Sequence, residues 1–125
     1  MDEITRRTPV WIALSEFYLD TGLEETDYDR IMKVLIASEF SLDELKAIDL
    51  YEIFPSLQSN LETVIGEWGM FDEEWLIRQC KRNYKKRNRL IHKFFCEHRN
   101  KKCYWMRKDC WEQIMKRLNS NESRD

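Results

Sequence analysis

Apolar residues recur along most of this chain at three- and four-residue intervals, the spacing of helices that bury one face. Thr8-Pro9 reads as the first helix start, Thr as N-cap and Pro at the first helical position. Val10, Trp11, Leu14, Phe17 and Tyr18 then form one stripe, with Glu16 and Asp20 opposite, and Gly22 ends the helix. Glu24-Glu25-Thr26-Asp27 opens a second helix, Thr26 and Asp29 resembling a capping box. Its stripe is Tyr28, Ile31, Met32, Val34 and Leu35. Ser41-Leu42-Asp43-Glu44 is a fuller capping box for a third helix, which carries Leu42, Leu45 and Ile48; Pro55 either cuts it off or begins the next helix. The fourth, from about Ser56 to Trp68, has the cleanest pattern: Leu57, Leu61, Val64, Ile65 and Trp68 share a narrow arc, flanked by Gly66 and Gly69.

Phe71 is placed to staple the start of a fifth helix capped by Asp72. The pattern predicts one long helix from Glu73 to about Glu97. Leu76, Ile77, Cys80, Tyr84, Leu90, Ile91, Phe94 and Phe95 fall on one side of it. Arg78, Lys81, Arg82, Lys85, Lys86, Arg89 and Lys93 make a basic ridge on the other. Arg87 falls inside the apolar stripe and calls for a carboxylate partner. The stripe thins between Lys81 and Arg89, where a break is conceivable. A sixth helix, about Tyr104 to Leu118, shows Trp111, Ile114, Met115 and Leu118, and residues 119–125 read as a polar tail.

The expected fold is therefore all-α, a single-domain bundle of five or six helices with the fourth near the centre. Its expected core includes Trp11, Leu14, Phe17, Ile31, Leu35, Leu61, Val64, Trp68, Trp75 and Leu76. Length agrees with one domain: 125 residues with 42% apolar content support one core. Three Gly and two Pro are too few for the many turns of a β-rich fold.

Charge divides the chain. Residues 1–77 carry 18 acids and 5 Lys/Arg, a net of −13, while residues 78–125 carry 16 Lys/Arg and 5 acids, a net of +11. The whole-chain net of −2 conceals an acidic front, a basic helical back (78–118) and the polar tail. Such halves should attract, placing part of the basic ridge against front-half acids, with Arg87 the arginine expected to be buried and paired. No stretch reaches the ~18 apolar residues of a membrane span. The N-terminus lacks an apolar export signal, so a cytoplasmic protein with reduced cysteines is expected.

Residues 10–21, Val10-Trp11-Ile12-Ala13-Leu14-Ser15-Glu16-Phe17-Tyr18-Leu19-Asp20-Thr21, resemble the opening of a family of small helical bacterial proteins of unknown function. Tyr28-Asp29-Arg30-Ile31, Val34-Leu35, Ser41-Leu42-Asp43-Glu44-Leu45, Gly66-Glu67-Trp68 and Phe71-Asp72-Glu73-Glu74-Trp75-Leu76 continue the likeness, which covers about residues 10–79. The family brings no assigned chemistry. By type, small acidic helical bacterial proteins are similar to immunity proteins that neutralise toxins.

Candidate chemistry is sparse. Cys80, His92, Cys96, His98, Cys103 and Cys110 are potential ligands, but their spacing lacks the paired knuckles of a zinc module, so no metal or other cofactor is expected. Both histidines lie among cations, poor surroundings for a base, and no G-x-S-x-G, H-E-x-x-H or phosphate-binding glycine loop occurs, so an enzyme is not expected. Arg78 to Lys102 holds eleven Lys/Arg and one acid, which makes a nucleic-acid-binding helix (78–102) the alternative function. Glu16, Asp20, Glu24, Glu25, Asp27 and Asp29, with no cation before Arg30, suit a docking face for a basic partner. The leading expectation is an immunity-type protein that blocks a basic, possibly nuclease-like toxin domain through those six acids, with Tyr18 or Tyr28 as aromatic anchor.

Overall fold

A computed structural model describes residues 2–18, 23–57 and 72–124 of the chain. Helix α1 (Glu3–Ser15) starts earlier than Thr8-Pro9 suggests. Asp2 caps it, Oδ1 accepting the Thr5 N–H at 2.7 Å, and Pro9 lies inside the helix. Thr8 uses its hydroxyl instead to donate to the Ile4 carbonyl at 2.7 Å. A 3₁₀ turn (Glu16–Tyr18) follows, then α2 (Glu25–Ser38). The N-cap of α2 is Glu24 rather than Thr26, and Asp27 returns its carboxylate to the Glu24 N–H at 2.9 Å. α3 (Leu42–Ile48) carries the expected capping box: Glu44 N–H donates to Ser41 Oγ at 3.1 Å, and Ser41 N–H to Glu44 Oε1 at 2.9 Å.

α3 runs without interruption through a π turn (Asp49–Ile53) into α4 (Phe54–Leu57). Pro55 does not cut this rod: Phe54 before it keeps helical dihedrals (φ −53°, ψ −46°), and the wide π turn leads directly into α4. The π turn is the centre of the fold and touches α1, α5 and α6. The expected fourth helix, with Leu61, Val64 and Trp68, lies outside the described residues apart from its first residues. Of those, Leu57 is buried as the end of α4.

The predicted long fifth helix is two helices, α5 (Glu73–Lys86) and α6 (Leu90–Cys103). Asp72 caps α5 as the sequence implies, accepting the Trp75 N–H at 3.1 Å. The break falls at Arg87-Asn88-Arg89, where a run of polar residues from Lys85 leaves no apolar side chain to hold a helix against the core. α7 (Trp105–Arg124) then continues into the predicted polar tail. The result is a single all-α domain, and among the described residues there is no strand.

The core joins Trp11, Leu14, Phe17, Ile31, Leu35 and Leu76, all expected, to Tyr18, Ile48, Ile53, Phe54, Trp111 and Ile114. Trp75 is only half-buried at its edge. Phe17 meets Trp111 edge-on at 5.5 Å, tying the 3₁₀ turn after α1 to α7.

The α5–α6 break has a large consequence. Leu90, Ile91, Phe94 and Phe95, expected on the buried stripe, are 83%, 81%, 68% and 53% exposed. α6 instead turns His92, Cys96 and Cys103 inward: Cys96 and Cys103 are buried, and His92 Nε2 lies 2.8 Å from the Tyr51 carbonyl oxygen.

Candidate functional site

The π turn places two carboxylates, Asp49 and Glu52, inside the protein. Asp49 Oδ2 accepts Arg107 Nε–H at 3.2 Å, Arg107 NH2 at 3.0 Å and the Trp111 indole N–H at 3.2 Å. Asp49 Oδ1 accepts a short hydrogen bond from the Tyr18 hydroxyl. Glu52 Oε1 accepts the Trp11 indole N–H at 2.9 Å, and Oε2 faces Arg7 at 3.6 Å. Asn83 of α5 donates to the Glu52 carbonyl at 3.0 Å and to Ser56 Oγ at 2.7 Å, satisfying the rod where the π turn disturbs its ladder.

Burial and the Asp49 charge hold the Tyr18 phenol protonated, well above its ordinary range. For Arg107 burial acts to lower the pKa, but Asp49 and Tyr18 outweigh it and the net shift is upward. Burial likewise raises Glu52, against the pull of the Trp11 hydrogen bond and Arg7. Arg107, Asp49 and Glu52 are only 1–2% exposed, and this centre joins α1, the π turn and α7. The sequence reading missed it. The available signal was the spacing of Arg107 with Trp111, Ile114 and Leu118, which puts an arginine on an apolar stripe.

Arg87, the arginine singled out for burial, is half-buried, and among the described residues it makes no ion pair. It stacks 3.8 Å above the Tyr84 ring and donates to the Tyr84 carbonyl at 2.7 Å. Among the described residues, the ion pairs that join the two halves of the chain come from Arg107 and Arg117 of α7, and none comes from the basic ridge.

The acidic face is largely spent within the protein. Glu16 is held by both terminal nitrogens of Arg30 at 2.7 Å, and Asp27 by Arg30 at 3.3 Å. Arg117 reaches Asp29 at 3.3 Å and makes a short contact with Glu25. Glu24 is the N-cap of α2, and Asp20 lies outside the described residues. Tyr18 and Tyr28 are both buried and unavailable as anchors. Tyr28 lies beneath Arg117, at 5.1 Å, and its hydroxyl meets Cys110 Sγ at 3.5 Å.

The opposite surface is different. Arg78, Lys81, Arg82, Lys85, Lys86 and Arg89 are exposed, and no ion pair holds any of them among the described residues. Lys93 is half-buried, 5.7 Å from the Tyr51 ring centroid. Beside the ridge lies the outward face of α6, extended by Trp105 at 68% exposure. Phe94 stacks on His98 at 5.9 Å, and the Arg99 guanidinium lies 4.9 Å over Phe95. A groove of about 800 Å³ runs along this face, walled by Phe54, Pro55, Leu90, Ile91 and Phe95, with Lys86, Arg89 and Arg99 beside them.

Cys96 Sγ lies 3.6 Å from His92 Nε2, but no third ligand joins them among the described residues. Burial pushes the Cys96 thiol up to about 11, away from the thiolate that metal binding or nucleophilic attack requires. Cys80, fully buried, is raised further.

Fold and surfaces define a small all-α protein with a sealed carboxylate centre and a cationic, apolar outer helix face. The chain belongs to the family described as a domain of unknown function (DUF7079), which matches residues 5–117. The match takes in the basic back of the chain as well as the acidic front. No curated protein matches it, and no solved structure does. Among the described residues no helix is long and apolar enough to cross a membrane.

Proposed function

We propose that this protein is a stoichiometric protein-binding module of the immunity type, which blocks a toxin domain by covering it. The observation that carries the reading is the orientation of α6: it turns His92 inward, buries two cysteines and presents Leu90, Ile91, Phe94 and Phe95 to solvent. Soluble domains rarely leave so contiguous an apolar patch uncovered unless it binds something. Phe94, Phe95 and Trp105 supply rigid aromatic anchors, the residue type that dominates interface energies. The neighbouring cations steer a partner in and set its charge. The partner's contact face is then apolar with acidic flanks. The acidic α2 surface is the weaker docking candidate, since Arg30 and Arg117 already neutralise four of its six carboxylates.

The test is co-expression with the product of the adjacent gene, followed by size-exclusion chromatography. A one-to-one complex that protects the host, and is lost in Leu90→Asp/Phe94→Asp, is the expected result. Full protection by that double variant would remove α6 from the interface, and no complex at all would remove the immunity reading.

The exposed aromatics also favour a second reading, nucleic-acid binding. They lie outside, next to the exposed cations Lys86 and Arg89, where bases stack. That reading requires affinity for single-stranded oligonucleotide that falls linearly on a log-log plot against salt; a flat plot excludes it.

A further inference from the structure

A second cleft, of about 180 Å³, opens between α1, α3, the π turn and the α5–α6 break. It gathers three cations, Arg7, Arg87 and Lys93, against two carboxylates, Glu44 and Glu52. Each carboxylate already has a partner: Glu44 Oε1 accepts the Ser41 N–H at 2.9 Å, and Glu52 Oε1 the Trp11 indole at 2.9 Å. The cations are less well served. Arg7 reaches Glu3 at 3.3 Å and Glu52 at only 3.6 Å, and its buried Nε has no acceptor among the described residues. Its guanidinium is fixed between rings, 4.8 Å from the Tyr84 centroid and 5.1 Å from that of Phe40. Arg87 stacks on the same Tyr84 ring, so two guanidinium groups are held around one aromatic side chain. Lys93 makes no ion pair among the described residues.

Cations held close together by packing form an anion receptor that is organised before the anion arrives. We propose that this cleft binds a phosphate monoester or inorganic phosphate, with Arg7, Arg87 and Lys93 as its donors. Its volume equals about six waters at ~30 Å³ each, room for a tetrahedral oxyanion together with the first atoms of an ester group or some of its hydration water. A carboxylate offers two coplanar oxygens and one charge. A phosphate monoester offers three oxygens and nearly two charges, which suits three separate cationic groups. The site is independent of the α6 face, so either can fail without the other.

The experiment is titration of ¹⁵N-labelled protein with inorganic phosphate, with chloride at equal ionic strength as control, following the arginine Nε–Hε resonances. Saturable shifts of the Arg7 and Arg87 signals are expected with phosphate alone. Arg87→Gln and Lys93→Gln each remove one charged donor and should weaken binding about tenfold. Both side chains are partly exposed, and unchanged far-UV dichroism will show that the variants fold. Methyl phosphate should bind like inorganic phosphate and dimethyl phosphate far more weakly. Equal shifts with chloride, unchanged affinity in both variants, or equal binding of the diester would each overturn the assignment.

Discussion

Arg107 and Asp49 meet in the interior, 58 positions apart in sequence, through two hydrogen bonds of 3.0 and 3.2 Å to a single carboxylate oxygen. That oxygen also takes the Trp111 indole one turn further along α7, so one acid fixes the rotation of α7 about its own axis. Buried pairs of this kind are costly to break from one side, because the surviving charge stays buried without its partner. Arg107→Met should lower unfolding free energy by about 3–5 kcal/mol, read by urea denaturation. Asp49→Asn in the same chain should recover part of that loss. If the double variant is no more stable than the single, the penalty is lost packing and the charge pair is not its source.

Glu52 yields a pH prediction. Its pKa is raised from the ordinary 4.5, chiefly by burial, so the folded state holds this proton more tightly than the unfolded state does. A raised carboxyl contributes a penalty when ionised: absent below the unfolded pKa, fully present above the folded one. Glu52→Gln keeps an acceptor for the Trp11 indole and removes that penalty. The variant's stability relative to the native protein should therefore improve as pH rises from 4.5 toward neutrality. Paired denaturation curves across that range check it; a constant difference would mean that Glu52 titrates alike in both states.

The caps are the most local test. Ser41 exchanges both hydrogen bonds of a capping box with Glu44 at the start of the central rod. Ser41→Ala should cost about 1 kcal/mol, the usual worth of such a cap. An effect below experimental error would show that the rod is held by its core contacts alone.

Much of this architecture is legible in the sequence, and the failures share a cause. Ser41 and Asp72 were readable as caps because their chemistry is local: a side-chain oxygen meets an N–H three residues on. Trp11, Leu14, Ile31 and Leu35 were readable as core because their spacing is regular. What periodicity does not carry is phase across a break. Once the helix stops at Arg87, the angular relation between Leu76 and Leu90 is lost, and α6 takes the rotation its hydrogen bonds and packing choose. An arginine on an apolar stripe is indeed buried in this fold, but it is Arg107; Arg87, next to the break, stays half-buried. The ion pairs that occupy the acidic face are illegible in the sequence for a similar reason, since Arg117 lies 88 positions from Asp29.

Mutation of the α6 face separates a buried stripe from an exposed docking surface directly. If Leu90, Ile91, Phe94 and Phe95 filled a core, truncating any of them would cost about 2–5 kcal/mol. Because they stand 53–83% exposed, polar replacement should change stability by no more than about 0.5 kcal/mol. Ile91→Lys and Phe94→Ser are suitable changes, since neither side chain takes part in the inward contacts of His92 and Cys96. Both should leave the denaturation midpoint in place and reduce self-association at high protein concentration, as removal of a surface apolar patch does. Trp111→Ala, at a fully buried site on the Asp49 centre, is the control and should cost about 3–5 kcal/mol. A loss on that scale at position 91 or 94 would place α6 inside the fold of the free protein and withdraw it as a docking surface.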